Sequence, residues 1–246
     1  MRHFGLIGKS LEHSFSKDYF ENKFKLEAIN NANYNLFEIK SLSLLPELIT
    51  QNKLVGLNVT IPYKEEILPY LNSIDDTAKK IGAVNTIHID WSKEKPLLTG
   101  YNTDFYGFKQ AIKPFLEAKH QKALILGTGG SSKAIAFVLQ QLGIDFLFVS
   151  RNPVGENQIS YSNLNEYLLQ HFLFIINCTP LGTYPNFNNK PEIPYQYITS
   201  NHFLFDLTYN PKESAFLQEG KSKNALIKNG LDMLKHQAEK SWEIWN

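Results

Sequence analysis

One segment constrains this chain more than any other: Ala123-Leu-Ile-Leu-Gly127-Thr-Gly129-Gly130-Ser131-Ser132-Lys133-Ala134. An apolar strand runs into a glycine turn and continues as a helix, which is the context a dinucleotide phosphate loop requires. Gly127 permits the tight turn and Gly129 lets the backbone approach a pyrophosphate, while the helix start offers N–H groups and the positive end of a dipole. Ser132 stands where the usual fingerprint has its third glycine, and a plain tight turn is the alternative reading. At the end of the next strand an acid would bond the ribose hydroxyls and select NAD, but the sequence there is Val149-Ser150-Arg151-Asn152. Arg151 can pair with a 2′-phosphate and no carboxylate is present to repel it, so the expectation is NADP. By itself Arg151 also reads as a solvated surface charge.

Around this loop short apolar runs alternate with amphipathic segments, the pattern of helices crossing between parallel strands, so the chain is predicted to be α/β. Strands are expected at 3–8, 33–38, 55–60 and 84–89, with helices over 16–29 and from Pro62 to Leu71. The polar, Pro-terminated segment 90–96 predicts a turn into a hairpin partner near 97–101, which would add an antiparallel ribbon to a mostly parallel sheet. The pattern restarts with a helix at 104–117, a strand at 122–127, a helix from 130, and strands near 145–149, 173–177 and 203–207. Segments 152–163 and 184–197 read as loops. Leu231, Leu234, Ala238, Trp242 and Trp245 recur at helical spacing and predict a terminal helix that buries one stripe.

Composition narrows the function. With 246 residues, 43% of them hydrophobic, there is ample apolar surface for a core, which excludes wholesale disorder. The 25 basic and 24 acidic residues leave a formal charge of +1, too balanced for a general nucleic-acid binder, so a small-molecule site is expected. The lone Cys178 can make neither an internal disulfide nor a Cys-rich zinc site, and a reducing cytoplasm fits it best. The N-terminus lacks the apolar stretch of a signal peptide, and the longest apolar runs fall far short of the roughly 20 residues that span a bilayer.

Polar clusters lie at predicted strand ends and helix starts, where α/β proteins bind ligands: His13-Ser14-Phe-Ser16, Asn58-Val-Thr60-Ile-Pro62-Tyr-Lys64, Gly82-Ala-Val-Asn85-Thr86 and Asn102-Thr103-Asp104. Each has a plainer reading. Ser16 could cap a helix, Lys64 could be a solvated charge, and Asp104 could be an acid at a helix N-terminus. In this order, ahead of a dinucleotide loop, they resemble the shikimate dehydrogenase family. The resemblance continues through Asn177-Cys-Thr-Pro180-Leu-Gly182, Asp206-Leu-Thr-Tyr209-Asn210-Pro211-Lys-Glu213, Asn229-Gly230-Leu231-Asp-Met233-Leu234 and Gln237, and so covers nearly the whole chain.

That resemblance implies two α/β domains. Residues 1–103 would form a substrate-binding domain to which 231–246 return as a helix, and 104–230 a Rossmann-type NADP-binding domain. The implied reaction is reversible NADPH-dependent reduction of 3-dehydroshikimate to shikimate, with Lys64 and Asp104 as the catalytic pair. Ser14 and Ser16 would bind the substrate carboxylate, and Thr60, Asn85 and Gln237 the ring hydroxyls alongside that pair, with Tyr209 as a further contact. Gly127, Gly129, Gly130 and Ser131 match the phosphate loop, Ser150, Arg151 and Asn152 the adenosine-phosphate site, and Leu207, Gly230 and Asp76 the nicotinamide side. The expected partners are small molecules, with no nucleic acid, membrane or metal, and the protein would be a cytoplasmic monomer or homodimer. Ser131 replaces a usual alanine, and Pro153-Val154-Gly155-Glu156 follows Arg151 where a second basic residue is common. Two further readings stay open at this level: a quinate/shikimate dehydrogenase using NAD, and a nucleotide sensor without catalysis.

Overall fold

The computed structural model describes residues 1–12 and 14–246, so His13 of the first polar cluster lies outside the described residues. The chain forms two compact units, Met1–Thr103 together with Gln237–Asn246, and Asp104–His236.

The first unit contains β1 (Arg2–Gly8), α1 (Ser16–Leu26), β2 (Ala32–Glu38), α2 (Leu45–Asn52), β3 (Leu54–Val59), α3 (Tyr63–Glu66), β4 (Ser73–Ile74), α4 (Asp76–Ile81), β5 (Thr86–Asp90) and β6 (Leu97–Tyr101). Its sheet has the order β2-β1-β3-β5-β6-β4. The β1 pairings with β2 and β3 are parallel, as is β4 with β6, while β5 runs antiparallel to both β3 and β6. The antiparallel ribbon expected from the turn before Leu97 is therefore present. The helix expected from Pro62 to Leu71 is cut to the single turn of α3, followed by a 3-10 turn at Leu68–Tyr70. Pro69 explains the break: it has no N–H to donate, and its ring clashes with the carbonyl four residues back.

Two apolar clusters cover this sheet. One gathers Leu45, Ile49, Leu54, Leu57 and Ile87, and the other Phe4, Phe20, Phe24, Tyr34, Ala238 and Trp245. The Trp245 ring stacks on Phe4 with centroids 5.0 Å apart, and its indole N–H donates to the Ile87 carbonyl at 2.9 Å. Gly56 makes this approach possible, because a Cβ there would meet the indole within 2.6 Å.

The second unit contains α5 (Asp104–Ile112), β7 (Lys122–Leu126), α6 (Gly130–Gln141), β8 (Asp145–Ser150), β9 (Gln158–Ser160), α7 (Glu166–His171), β10 (Phe174–Asn177), β11 (Phe203–Asp206), α8 (Ala215–Ser222), β12 (Leu226–Asn229) and the start of α9 (Leu231–Trp245). All its strand pairs are parallel, in the order β9-β8-β7-β10-β11-β12. Numbered from β7, that is 3-2-1-4-5-6, the doubly wound dinucleotide-binding order, whose switch point lies between β7 and β10. The helix expected to reach 117 stops at Ile112, since Pro114 disfavours a helical residue before it. The three-residue β9 lies inside the segment expected to be loop. Helix α9 contributes to both units. Met233 packs into the core around Phe108, Ile125 and Phe205, whereas Ala238 and Trp245 join the aromatic cluster of the first unit, so residues 231–236 stay with the second unit.

Candidate active site

In the first unit the predicted substrate residues lie at strand ends and helix starts. Ser14 Oγ accepts the N–H of Ser16, the first residue of α1, at 3.3 Å. Ser14 rather than Ser16 therefore serves that helix terminus, and the Ser16 hydroxyl instead bonds the Tyr34 phenol. Burial pushes the Tyr34 phenol well above its ordinary range, so it remains protonated. Thr60 follows β3 directly, with its N–H donating to the Ile7 carbonyl at 2.9 Å and its carbonyl accepting from Tyr63 N–H at 2.9 Å. Lys64 is half-buried on α3 and its backbone is held from two sides. The Tyr63 hydroxyl donates to the Ile39 carbonyl at 2.6 Å, and Val84 N–H donates to the Lys64 carbonyl at 2.8 Å.

A buried polar network then sets the orientation of the Asn85 and Asn58 amides. Thr103 N–H can only donate, so the atom it meets at 2.6 Å on Asn85 is the carbonyl oxygen Oδ1. The Asn85 amide Nδ2 consequently faces Thr103 Oγ1 at 3.0 Å and Gln237 Oε1 at 3.3 Å. Gln237 Oε1 is also 3.4 Å from Thr103 Oγ1, so both side chains hold the Gln237 amide oxygen on this side. Asn58 is set in the same way. Its Nδ2 donates to the Asn85 carbonyl at 3.2 Å, to Thr86 Oγ1 at 3.1 Å and to Ser241 Oγ at 3.0 Å, which leaves Oδ1 to accept from Tyr34 at 2.8 Å. Thr86 and Ser241, both fully buried, are 2.7 Å apart. Asn85 and Gln237 are thus brought together as expected. Tyr34 and Ser241, which tie them to Ser16, carry no local motif; a serine inside the apolar stripe of α9 is the one sequence signal.

In the second unit, Gly127 follows β7 with φ +104, a conformation that L side chains rarely adopt. A Cβ on it would also meet Thr179 Cγ2 at 3.3 Å, across the β7–β10 switch point. Gly129 has open space where a Cβ would stand, and α6 begins at Gly130 and runs for 12 residues. At the end of β8 the Ser150 hydroxyl accepts the Asn152 N–H at 3.2 Å, shaping a turn that leaves Arg151 exposed. Arg151 lies close enough to Tyr161 to act on its phenol, which burial nonetheless pushes up to about 12. An open glycine loop at a helix start and an exposed guanidinium with no acid beside it fit a dinucleotide bearing a 2′-phosphate.

Leu207 and Gly230 come into backbone contact: Gly230 N–H donates to the Thr208 carbonyl at 3.2 Å, and a Cβ on Gly230 would collide with the Leu207 carbonyl. Tyr209 lies on the same loop, half-buried. Asp104, 5% exposed, opens α5 in a position that favours a carboxylate. Burial pushes the Cys178 thiol well above its ordinary range, and the side chain packs against the core around Phe108 and Ile176. Asp76 is exposed at the start of α4, where its neighbour Asp75 caps the helix by accepting from Thr77 N–H at 2.9 Å and Ala78 N–H at 3.3 Å.

A doubly wound sheet with an open glycine loop, joined to a second α/β unit lined with oriented hydrogen-bonding side chains, defines a dinucleotide-binding protein of the kind found among oxidoreductases. The NADP(+) shikimate dehydrogenase of Clostridium beijerinckii is 39% identical over 254 residues, spanning 100% of this chain and 92% of that one. The chain belongs to the shikimate dehydrogenase family. The model of the shikimate dehydrogenase substrate binding domain matches residues 6–87. Among solved structures, shikimate dehydrogenase 1 of Peptoclostridium difficile is 38% identical with a TM-score of 0.87, covering 100% of this chain and 91% of that one. The Thermus thermophilus enzyme in complex with NADP(H) and shikimate is 28% identical with a TM-score of 0.84, covering 100% and 93%. Among the described residues no helix is long and apolar enough to cross a membrane.

Proposed function

We infer that this chain is an NADP-dependent shikimate dehydrogenase, an oxidoreductase that interconverts 3-dehydroshikimate and shikimate in aromatic biosynthesis. The observation that carries this reading is the relationship to NADP(+) shikimate dehydrogenases along the entire chain, through both units. Bound NADPH supplies the hydride that reaches the ketone carbon. The chain's own task is to orient the ring and to deliver a proton to the ketone oxygen as negative charge builds there.

Lys64 is assigned that proton, and Asp104 is assigned as its catalytic partner. The fixed backbone of α3 supports this role, because a proton donor on a four-carbon stem gains precision from a rigid base. Ser14 and Ser16 are assigned to the substrate carboxylate, and Thr60, Asn85 and Gln237 to the ring hydroxyls. The buried network that brings Asn85, Thr103 and Gln237 together supports this assignment, since side chains already held in place need little rearrangement when the substrate arrives. Tyr209 is placed as a further substrate contact. Gly127, Gly129, Gly130 and Ser131 would hold the pyrophosphate, Ser150, Arg151 and Asn152 the 2′-phosphate, and Leu207, Gly230 and Asp76 the nicotinamide side. Residues 1–103 with the end of α9 then make up the substrate-binding domain, and the second unit the NADP-binding domain. The near-neutral charge and single cysteine support a cytoplasmic enzyme with small-molecule partners.

Identifying the product tests this reading. Purified protein incubated with 3-dehydroshikimate and NADPH should yield shikimate with one NADP formed per ring reduced. Recovery of unchanged 3-dehydroshikimate would refute it.

A further inference from the structure

Asn177, Asp206 and Asn229 end β10, β11 and β12 in a single register row. The central member is a carboxylate with no exposed surface, and its partners among the described residues are all neutral donors. Asn177 Nδ2 donates to Oδ1 of Asp206 at 3.0 Å, Thr208 N–H donates to the same oxygen at 2.9 Å, and the Ser214 hydroxyl donates to Oδ2. Two oxygens thus gather donors from the end of β10, from the loop after β11 and from the residue that caps α8. A neutral side chain would be cheaper to bury, because an ion without a counter-charge carries a desolvation cost that neutral donors only partly offset. What a carboxylate provides at this spot is acceptor capacity on both oxygens at once.

The other two members extend the hold. Asn177 Oδ1 accepts from Thr179 N–H at 3.0 Å and Thr179 Oγ1 at 2.6 Å, fixing the turn that faces Gly127. Asn229 Nδ2 donates to the Lys212 carbonyl at 2.9 Å while its Oδ1 accepts from Leu231 N–H at 3.3 Å, tying the loop after β11 to the start of α9. Leu207, Tyr209 and Gly230 all stand on the segments held in this way.

We propose that Asn177, Asp206 and Asn229 are positioning residues that set the nicotinamide side of the cofactor site, with Asp206 as the hub acting through the backbone of Leu207 and Gly230. This rests on the assignment of Leu207 and Gly230 to that side.

The test compares Asp206→Ala, Asp206→Asn, Ser214→Ala and Asn229→Ala with the unaltered protein. The readouts are the dissociation constant for NADP by titration, the KM for NADP at saturating shikimate, and thermal unfolding. Both constants are measured well below each variant's unfolding transition, where the protein is fully folded, so they separate positioning from stability. Asp206→Ala should weaken NADP about tenfold or more, the scale of a lost hydrogen bond to a charged acceptor. Asp206→Asn should stay within about threefold, since it keeps one oxygen for Asn177 and Thr208 and offers an amide to the Ser214 hydroxyl. Should Asp206→Ala fail to fold, Ser214→Ala and Asn229→Ala must each weaken NADP. Variants that lower the unfolding temperature but keep the original constants would overturn the proposal. An unaltered protein that binds NADP without oxidising shikimate would instead overturn the functional reading, and the dissociation constants would still decide the role of the row.

Discussion

Lys64 follows Tyr63, whose buried ring and hydroxyl anchor α3, so the ammonium is carried by backbone that has little freedom to move. Replacing Lys64 by Ala removes the assigned proton donor and leaves that anchor intact. Turnover should fall on the order of 100- to 10,000-fold, with unfolding temperature and NADP affinity unchanged. Asp104→Ala should lower turnover similarly, and a rate within tenfold of the original for either variant would remove that residue from the chemistry. Arg151 is a different case: exposed at the turn after β8, it contributes nothing to the core. Arg151→Ala should raise the KM for NADP roughly 10- to 100-fold, the equivalent of one charge-assisted contact, while leaving the KM for NAD nearly unchanged. Equal effects on both cofactors would show that the guanidinium does not read the 2′-phosphate. At this scale the chemical types are legible in the sequence because Lys64, Asn85, Asp104 and Arg151 sit in short local motifs. Tyr34 and Ser241 are not, since a hydroxyl becomes part of a site only when distant elements bring it to Asn58.

Among the elements, α9 shows how packing and orientation combine. Its apolar stripe buries Ala238 and Trp245, and Ser241 on the same helix supplies the hydroxyl that meets Asn58 and Thr86. Ser241→Ala deletes a partner from the buried side chains of Asn58, Thr86 and Thr103, so it should cost about 1–3 kcal/mol in chemical denaturation and raise the KM for shikimate more than that for NADP. An unchanged KM for shikimate would mean that the network serves stability alone. The second unit makes a prediction about pH. Burial raises the Asp206 carboxyl from 3.8 to about 6, so its unfavourable ionisation is relieved as pH falls from about 6 toward 3.8. Burial lowers both His120 and His202 from 6.5, so their contribution to stability is complete above that value and is lost as pH falls below it. His202 shows why. Its Nδ1 accepts from Thr199 N–H at 3.0 Å while Nε2 donates to the Leu169 carbonyl at 2.8 Å, an arrangement only the neutral ring can make. These trends oppose one another in the unaltered protein. Asp206→Asn removes one of them, so its stability relative to the unaltered protein should decline by on the order of 3 kcal/mol between pH 7 and pH 4. A difference that stays constant across that range would contradict the account. The sequence pattern predicts the long strands and α9 because their periodicity spans several turns or pleats. It does not predict β9 or the break after α3, where three-residue pairing and one internal proline decide the outcome.

On the scale of the molecule, the two units carry sheets of different construction. The first mixes parallel and antiparallel pairs and bears hydrogen-bonding side chains at its strand ends, and the second is wholly parallel with its glycine loop at the switch point. The α/β class and the start of the second unit are legible because the glycine loop and the restarted strand pattern are local features. The division of α9 is not, because one continuous stripe carries residues that join different cores, Met233 in one unit and Ala238 with Trp245 in the other. The proposed function pairs one substrate with one cofactor, and absorbance of the reduced nicotinamide reads both choices at once. Purified protein is mixed with shikimate or quinate, each with NADP or with NAD, and kcat/KM is compared across the four combinations. Shikimate with NADP should exceed every other combination by at least tenfold. Turnover greatest with quinate or with NAD, or no turnover in any of the four, would contradict the account.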